Sequence, residues 1–378
     1  MVNQLKIAIV LGTRPEIIRL SSIIKTFDKH TNLLLIHTGQ NYDLELNKIF
    51  FDDFEIREPD YLLKCAKNSK SASETIGNII IETDKIFEKE KPDALVILGD
   101  TNSCLSAISA KRKKIPIFHL EAGNRCFDQR VPEEINRKIV DHISDINLTY
   151  SNIAREYLIG EGLPPDQIIK IGSPLLEVFT QNKKKIKNSK ILKKLKLKIG
   201  KYFLISFHRE ENIEYDKNFK NFLNLLNVLA ENYNIPIIMS THPRTKKRIE
   251  KKSMKFNNLI SFLPPMSYTD YMSLQINSKT VLSDSGSISE ESSILNFRAL
   301  NIRENHERPE SMEESAVMMV GLNLKRVLQG IDLLNSQSTG LKRNISIVSE
   351  YDVLNLSHKL LRVVHSYVDY INQKVWKQ

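Results

Sequence analysis

Acidic side chains follow several short apolar runs in this sequence, and proton transfer is the chemistry that they could perform. Asp100 comes shortly after the run that ends at Leu98, Glu121 closes the next run, and Glu133 opens a helical segment. Each acid could instead be structural, since Asp is a common helix N-cap and Glu133 could form an ion pair with Arg137 at i+4. Three acids beside adjacent predicted strand ends nevertheless favour general acid–base catalysis.

A second group of side chains could hold a negatively charged diphosphate. The motif Gly12-Thr13-Arg14-Pro15-Glu16 places Arg14 at a helix N-terminus, where free backbone N–H groups and the helix dipole favour anions. It is neither a Walker A nor a GxGxxG motif, so an ordinary strand-to-helix turn is an equal alternative. In the second half of the chain, the polar candidates that follow predicted strands or enter a helix are His208, His242, Ser285, Gly286, Ser287, Glu291, Arg303 and Arg308.

Small residues at a helix entrance suit phosphate because their backbone N–H groups are accessible. Ser285-Gly286-Ser287 has this composition, and Glu291, a turn later, could accept hydrogen bonds from ribose hydroxyls. His242 could equally be a structural histidine that binds no ligand. The sequence contains no HExxH, paired CxxC or EF-hand pattern, so we predict no metal site.

The net charge of +10 suggests a nucleic-acid partner, but its distribution argues against one. Much of the positive excess lies in the lysines of residues 183–201, where apolar residues interrupt the run and no aromatic residue occurs before Tyr202. Base stacking needs aromatic side chains, so a solvated, lysine-coated helix is favoured over a polyanion site. The remaining charge would suit anionic small substrates.

The sequence also favours a cytoplasmic protein that is not inserted in a membrane. Its 378 residues contain no apolar run long enough to span a bilayer. Residues 7–11 lead directly into a glycine-containing turn, whereas a signal peptide needs a longer apolar stretch and a cleavage site. Three widely spaced cysteines, Cys65, Cys104 and Cys126, fit reduced thiols better than a disulfide framework.

Short β-branched runs alternate with longer helical patterns, which is typical of parallel α/β sheets. The predicted strands are residues 7–11, 33–37, 94–98, 117–120, 146–149, 168–171, 202–206, 235–239, 258–262, 279–282 and 299–301. The predicted helices are residues 16–29, 72–89, 104–113, 132–143, 217–231, 244–252, 268–275, 288–295 and 351–374.

These elements form two groups, and the chain is longer than a single hydrophobic core usually allows. The strand rhythm pauses after Gly172-Ser173-Pro174 and then restarts. We therefore predict two consecutive doubly wound, Rossmann-like domains, residues 1–173 with the acids and residues 174–359 with the diphosphate candidates. The terminal stretch 360–378 could pack back on the first domain. Ligands of such sheets bind beyond the carboxyl ends of the strands, where nearly all the candidate residues fall.

Seven short motifs carry a family resemblance. They are Gly12-Thr13-Arg14-Pro15-Glu16, Gly99-Asp100-Thr101, Glu121-Ala122-Gly123, Pro132-Glu133-Glu134 with Asn136-Arg137, His208-Arg209, Asp284-Ser285-Gly286 and Glu307-Arg308-Pro309-Glu310. Their order resembles that of non-hydrolysing UDP-N-acetylglucosamine 2-epimerases, from about residue 6 to residue 335, and the set is highly specific. The resemblance implies a glycosyltransferase-B-type fold, with two Rossmann-like domains facing a cleft and UDP held mostly by the second.

Three stretches resemble one branch of that family, which makes UDP-N-acetyl-L-fucosamine. They are residues 121–132, Glu161-Gly162-Leu163-Pro164, and residues 302–310 with Arg303 and Arg308. The substrate implied is UDP-2-acetamido-2,6-dideoxy-L-talose. N-acetylglucosamine enzymes usually have a lysine where this chain has Arg19. Many of those enzymes also use their substrate as an activator, and a Gln-His-Arg-Glu-like segment forms part of the activator pocket. The corresponding segment here is Gln40-Asn41-Tyr42-Asp43, which lacks a basic position and adds an acid.

The resemblance further implies a mechanism that needs neither a cofactor nor a metal, since no hydride moves. The C2 proton leaves as UDP departs from C1, and UDP adds back while C2 is protonated on its other face. Asp100, Glu121 and Glu133 would be the acid–base set, with Arg137 orienting Glu133 or meeting the sugar. The resemblance implies that the diphosphate is bound by Arg14, His208, Ser285 and Gly286, and that ribose is bound by Glu291. It also implies that the positively charged wall of the cleft is completed by Arg19, His242 and Arg308. Ser287 replaces a glycine common in the family.

Two other interpretations remain open. A retaining glycosyltransferase of the same architecture would use a similar UDP pocket, although the acid trio disfavours it. A nucleotide-sugar sensor would use the acids only as caps and ion pairs. The resemblance also implies a homodimer, with a UDP-sugar as the small-molecule partner.

Overall fold

Two units make up the chain in the computed structural model, which describes residues 4–40, 44–209, 212–213, 215–241, 243–251 and 255–377. The first unit is Met1–Gln181 with Glu350–Gln378, and the second is Asn182–Ser349. The first unit is therefore built from both ends of the chain. The sequence places the domain limits at 173/174 and 359/360. These functional limits stay a prediction, and they differ from the limits of the two units.

The first unit contains a seven-stranded parallel sheet in the order β3-β2-β1-β4-β5-β6-β7. Its elements are β1 (Lys6–Leu11), α1 (Arg14–His30), β2 (Asn32–His37), α2 (Leu44–Phe54), β3 (Tyr61–Leu62), α3 (Ala72–Glu90), β4 (Ala94–Leu98), α4 (Ala107–Arg112), β5 (Ile117–Ala122), α5 (Pro132–Ile143), β6 (Ile146–Thr149), α6 (Asn152–Gly160), β7 (Ile168–Lys170) and α7 (Leu175–Asn188), which contains the unit limit. The side chains of Ile7–Leu11 and Ala94–Leu98 are buried, as expected for parallel strands covered on both faces.

The second unit contains a six-stranded parallel sheet in the order β10-β9-β8-β11-β12-β13. Its elements are α8 (Ile191–Lys194), β8 (Phe203–Ser206), α9 (Asp216–Tyr233), β9 (Ile237–Ser240), α10 (Pro243–Lys251), β10 (Ile260–Leu263), α11 (Tyr268–Asn277), β11 (Thr280–Ser283), α12 (Ile288–Leu295), β12 (Ala299–Asn301), α13 (Pro309–Glu313), β13 (Met318–Met319) and α14 (Leu324–Asn335). Phe203 and Phe207 are fully buried among the side chains of α9, and the rings of Phe207 and Phe222 stack at 3.7 Å.

Both sheets reverse their strand order once, and this reversal decides where ligands can bind. The reversal lies between β1 and β4 in the first sheet and between β8 and β11 in the second. Helices cross to opposite faces on the two sides of such a point, which leaves a crevice beyond the carboxyl ends of the strands. Asp100 follows β4, His208 follows β8, and Arg14 follows β1 at the start of α1. The turn after β11 carries Ser285, Gly286 and Ser287.

The lysine-rich stretch is amphipathic. Ile186 and Ile191 are buried, and Leu192, Leu195 and Leu197 pack partly buried against a core cluster of the second unit. Most of its lysines are exposed: Lys183, Lys184, Lys187, Lys190, Lys193, Lys194, Lys196, Lys198 and Lys201. One face of the stretch therefore covers the core, and the lysine-rich face is exposed to solvent.

The last helix, α15 (Leu356–Lys374), packs against α1 in the first unit. Leu360, Val364, Val368 and Ile371 are buried at helical spacing and form its apolar face. The backbone N–H of Ser357 donates to the buried Glu177 carboxylate at 2.9 Å, which ties the start of α15 to α7.

Several boundaries differ from those expected. The helix predicted at 104–113 is a 3₁₀ turn, Asn102–Ser106, followed by α4. The helix predicted to begin at residue 351 begins at Leu356, after a 3₁₀ turn at Ser349–Tyr351. Within the part of the chain that the structure describes, no helix has the length and apolarity to cross a membrane.

Candidate active site

The turn between β1 and α1 is closed by a buried carboxylate. Glu16, 1% exposed, accepts hydrogen bonds from the backbone N–H groups of Gly12 and Thr13 at 3.0 and 2.8 Å and from the Thr13 hydroxyl at 2.8 Å. Its other oxygen accepts from the Thr101 hydroxyl at 2.9 Å. Burial raises the pKa of Glu16 to about 7, although these hydrogen bonds act in the opposite direction. Glu16 therefore joins the turn after β1 to the turn after β4.

Asp100, in the turn after β4, is held by Arg137 of α5. The Nε and Nη2 groups of Arg137 donate to one Asp100 oxygen at 2.9 and 2.6 Å, and its Nη1 group donates to Glu134 at 2.9 Å. The Asn136 side chain donates to the backbone carbonyl of Asp100 at 2.7 Å. Burial would raise the pKa of Glu134, but the backbone N–H of Cys126 and the Arg137 guanidinium outweigh it and lower that pKa. Asp100 is thus a partly exposed carboxylate in a fixed position.

Glu121 has the most unusual backbone among the predicted acids. Its φ is +66°, in the left-handed region, at a register shift between Leu120 and Ala122 of β5. Such a conformation is costly for a residue with a Cβ, and a bulge re-aims the side chain at the end of a strand. The Glu121 side chain is 11% exposed and lies 3.7 Å from Nε of Arg19, while Asn124 donates to it at 3.4 Å. A strained, nearly buried acid is therefore paired with a buried cation.

A buried polar network supports the backbone around Glu121. Asp141 accepts from the Gly123 N–H at 3.2 Å and from Arg125 at 2.7 Å, and lies 2.9 Å from Nδ1 of His119. Nε2 of His119 donates to a backbone carbonyl of the turn after β4 at 2.9 Å. Arg125 also donates two hydrogen bonds of 2.7 Å to Glu161. Paired in this way, the buried charges are compensated and the loop after β5 is fixed.

In the second unit, His208 follows β8 and faces a buried acid. Nδ1 of His208 lies 3.1 Å from Oδ1 of Asp284, the residue that follows β11. Asp284 is fully buried and accepts from the backbone N–H groups of His208 and Arg209 at 3.1 and 2.9 Å. Burial would raise the pKa of Asp284, but the His208 imidazole and these N–H groups outweigh it and lower that pKa. The His208 side chain is 38% exposed.

Ser285, Gly286 and Ser287 form the entrance to α12, where backbone N–H groups can receive an anion. All three residues are partly exposed, and the hydroxyls of Ser285 and Ser287 lie 3.0 Å apart. A Cβ on Gly286 would lie 2.8 Å from Oε1 of Glu307, so a larger residue would not fit without a shift. Glu291 accepts a hydrogen bond of 2.7 Å from Gln275.

The predicted arginines of the second unit are buried in ion pairs. Glu307 accepts from Arg303 at 2.7 Å and from Arg209 at 3.0 Å. Arg308 donates to the fully buried Glu290 at 3.2 Å. These arginines neutralise buried acids next to the entrance of α12, and their contact with a substrate stays a prediction.

The other predicted residues lie in the first turns of α1 and α5 or outside the described residues. Arg14 is partly exposed with its guanidinium 5.9 Å from the Phe50 ring centroid, and Glu133 is partly exposed in the first turn of α5. The ion pair expected between Glu133 and Arg137 stays a prediction. His242 lies outside the described residues. Among the residues that are described, no group of three or more His, Cys, Asp and Glu side chains could hold a metal ion.

Comparison with known proteins identifies the family to which this arrangement belongs. The family model described as UDP-N-acetylglucosamine 2-epimerase matches residues 25–364. The UDP-N-acetylglucosamine 2-epimerase of Methanocaldococcus jannaschii is 36% identical over 348 residues, which cover 89% of this chain and 94% of that protein. The chain belongs to the UDP-N-acetylglucosamine 2-epimerase family. It is therefore an isomerase.

Solved structures of family members share the fold. The UDP-N-acetylglucosamine 2-epimerase from Rickettsia bellii is 53% identical, with a TM-score of 0.92 and full coverage of both chains. The M. jannaschii enzyme, solved in complex with UDP-GlcNAc and UDP, is 34% identical with a TM-score of 0.88 over 96% of this chain and 100% of that chain. A lipopolysaccharide outer core galactosyltransferase, 13% identical over 96% of this chain and 99% of that chain with a TM-score of 0.51, resembles the fold alone. The predicted class, two Rossmann-like domains of glycosyltransferase-B type, is confirmed.

Three supporting acids of this family member were not among the predicted site residues. Glu16 lies in a capping-box spacing with Thr13, which could have revealed its role. Glu134 is three residues before Arg137, so the i+3 pairing competed with the i+4 pairing that we expected for Glu133. Asp284 meets His208 across 76 positions of sequence, and no local spacing could have shown that contact.

Proposed function

We propose that this epimerase inverts C2 of a UDP-linked 2-acetamido sugar by eliminating UDP and adding it back. The C2–H bond breaks and its electron pair forms the C1=C2 double bond of a 2-acetamidoglycal. The C1–O bond breaks at the same stage, and its electrons leave with UDP. Re-addition of UDP at C1 and protonation of C2 on the opposite face complete the inversion. No hydride moves, so the reaction is redox-neutral.

The observation that carries this proposal is the geometry of Glu121. A strained backbone aims its carboxylate from the end of β5, and buried Arg19 lies beside it. Strain of this kind is maintained where a side chain must be aimed, and the polar network behind the loop holds it in place. Asp100 follows the neighbouring strand β4 and is held by Arg137. We assign proton transfer at C2 to Asp100, Glu121 and Glu133.

Stabilisation of the departing diphosphate is assigned to the second unit. Charge develops on the leaving oxygen in the transition state, so donors placed there accelerate elimination more than they strengthen ground-state binding. We assign this role to the Gly286 backbone N–H, the Ser285 hydroxyl and the His208 imidazole, because all three follow strands at the reversal of the second sheet. The backbone N–H groups of Ser285 and Ser287 donate to nearby serine hydroxyls at 3.0 and 3.4 Å. Arg14 would add positive charge and Glu291 would accept from ribose.

For the sugar, we propose UDP-2-acetamido-2,6-dideoxy-L-talose, with UDP-N-acetyl-L-fucosamine as the product. Two of the stretches that resemble the L-fucosamine branch are joined in the structure, because Arg125 in the loop after Glu121 donates two hydrogen bonds of 2.7 Å to Glu161. Glu161 opens the second of these stretches. The two stretches are therefore linked, and this link fixes the loop beside Glu121, where a sugar-specific contact would be needed.

Deuterium labelling tests the reaction class. The protein is incubated in D₂O with one UDP-sugar and no acceptor, and NMR follows C2. An epimerase incorporates deuterium at C2 and forms the second epimer. A retaining glycosyltransferase needs an acceptor, and a sensor leaves the sugar unchanged, so absence of C2 label would contradict the proposal. Glu121→Gln should slow labelling at least about 100-fold, whereas Glu156→Gln, which changes an exposed acid of the same unit, should not.

The sugar is tested separately. Initial rates with the L-talo compound and with UDP-N-acetylglucosamine give two values of kcat/KM. We expect the L-talo compound to be preferred at least about tenfold, since an apolar pocket that fits a 6-deoxy sugar rejects an added hydroxyl by up to about 100-fold. Equal or better turnover of UDP-N-acetylglucosamine would reject the L-fucosamine assignment and leave the C2 chemistry intact.

We further infer that the enzyme is a cytoplasmic homodimer, as family resemblance implies. Light scattering coupled to size-exclusion chromatography tests the oligomeric state. A mass near 43.6 kDa would show a monomer and contradict this inference.

A further inference from the structure

Asp284 joins the two loops at the reversal of the second sheet. Its carboxylate accepts from the backbone N–H groups of His208 and Arg209, both in the loop after β8. The Asn212 side chain donates to the same carboxylate at 3.3 Å. The chain continues from Asp284 directly into Ser285, at the entrance to α12. The position of this carboxylate is therefore fixed by backbone and side-chain donors.

The imidazole of His208 must adapt to that fixed carboxylate. Nδ1 lies 3.1 Å from Oδ1 of Asp284 and 3.4 Å from the Ser206 hydroxyl. An ionised carboxylate only accepts hydrogen bonds, so an attractive contact requires a hydrogen on Nδ1. In the neutral ring, one nitrogen carries the hydrogen and the other does not. Nε2 is then bare in the neutral form and carries a hydrogen only in the imidazolium.

We propose that Asp284 is a positioning residue that makes His208 a donor to the diphosphate only in its protonated form. When Nδ1 donates its hydrogen to Asp284, Nε2 of the neutral imidazole carries only a lone pair, and this lone pair repels a phosphate oxygen. The imidazolium presents N–H and a positive charge. This inference rests on the proposed function, in which His208 meets the departing UDP.

The charged groups around His208 agree with this role. Asp284 supplies a negative charge from the end of β11, and Ser206 at the end of β8 supplies a neutral hydroxyl. The neighbouring Arg209 directs its guanidinium to Glu307, whose charge it shares with Arg303. Among the described residues, Asp284 is therefore the acid in direct contact with the ring, and its carboxylate can accept the hydrogen on Nδ1.

The tautomer of His208 is a direct test. Protein labelled with ¹⁵N-histidine is compared with the His208→Gln variant to assign the ring signals, and long-range ¹H–¹⁵N spectra identify the protonated nitrogen. In the neutral ring of His208, we expect the hydrogen on Nδ1. The Nε2–H tautomer, which free histidine prefers, would overturn the proposal even if every variant were unstable.

Ligand binding gives a second test that does not depend on catalysis. UDP-glucose is the probe, because its diphosphate diester has no group that titrates between pH 6.0 and 8.5. We expect about tenfold weaker binding by calorimetry at pH 8.5 than at pH 6.0, the scale of losing one charge-assisted hydrogen bond. His208→Gln should change less than about twofold across this range.

Asp284→Asn separates positioning from binding. Asn can donate to Nδ1, so Nε2 keeps its hydrogen in the neutral ring, and the pH dependence should fall below about threefold. Asp216→Asn, which removes an exposed acid of the same unit, should retain the tenfold dependence. UDP-glucose binding that does not vary with pH in the wild-type protein would overturn this proposal alone. Failure to bind at any pH would overturn the UDP site and the proposed function with it.

Discussion

Replacing Glu16 by Gln should stabilise the first unit at alkaline pH. Glu16 is fully buried, and burial raises its pKa from an ordinary 4.5 to about 7. The protonated form therefore supports the fold fully below pH 4.5, and this contribution is lost as the pH rises through about 7. Gln has the same shape and stays neutral. Its carbonyl can accept from Gly12 and Thr13, and its amide can donate to the hydroxyl of Thr101.

The size of the effect follows from the pKa shift. A rise from 4.5 to about 7 corresponds to about 3 kcal/mol of lost stability once Glu16 is ionised. Part of that loss has already occurred at pH 5. Between pH 5 and pH 8 the wild-type protein should therefore lose about 2 kcal/mol relative to Glu16→Gln.

Tryptophan fluorescence can follow this change in the first unit. Trp376 is the single tryptophan of the chain and belongs to that unit, where Nζ of Lys111 lies 5.1 Å from its ring centroid. Urea unfolding at pH 5 and pH 8 gives the difference between the variant and the wild-type protein. Glu134→Gln is the control, because the lowered pKa of Glu134 keeps it ionised at both pH values, so its loss should destabilise equally at both.

One result would refute the reasoning about Glu16. If Glu16→Gln destabilises the first unit by the same amount at pH 5 and at pH 8, the carboxylate is ionised throughout. The hydrogen bonds from Gly12, Thr13 and Thr101 would then outweigh burial, and the pKa of Glu16 would not be raised.

Three further predictions concern catalysis. Glu121→Gln should keep UDP affinity by calorimetry while kcat falls at least about 100-fold, because a positioned acid–base group is lost; near-wild-type turnover would return Glu121 to a structural role. EDTA should leave activity unchanged, since the sequence shows no metal-ligand spacing, and activity that is lost and then restored by a divalent cation would contradict this. Initial rates should be hyperbolic without added UDP-N-acetylglucosamine, because the sequence has the acid Asp43 in the segment that resembles the family's activator segment, and an acid would repel a diphosphate. Residues 41–43 lie outside the described residues; a sigmoidal curve, or activity only after addition of that compound, would show that the activator site is retained.

Much of the fold could be predicted because parallel strands are apolar on both faces. The runs at 94–98 and 146–149 coincide with β4 and β6 for this reason, and the helix at 132–143 coincides with α5. The edge strands β3 and β13 have two residues each, which is too short for any periodic pattern to reveal. The helix predicted at 104–113 begins at Cys104, but this residue lies in the 3₁₀ turn Asn102–Ser106.

The positions of the candidate residues could be predicted better than their partners. Residues that follow strands must lie at the carboxyl ends of the sheets, which places Asp100, Glu121 and His208 from local pattern alone. The contact between Arg137 and Asp100 joins residues 37 positions apart and depends on the tertiary fold. The left-handed backbone of Glu121 was also not predictable, since glutamate is not a residue type that favours positive φ.

The return of α15 to α1 has a consequence for biosynthesis. The first unit needs residues Glu350–Gln378, so its last helix is synthesised only after the whole second unit. The nascent chain must therefore carry the α15-binding surface of α1 uncovered while the whole second unit is synthesised. Exposed apolar surface of this kind makes a partly made chain dependent on chaperones and prone to aggregation. The unit that is translated first is thus the unit that finishes folding last.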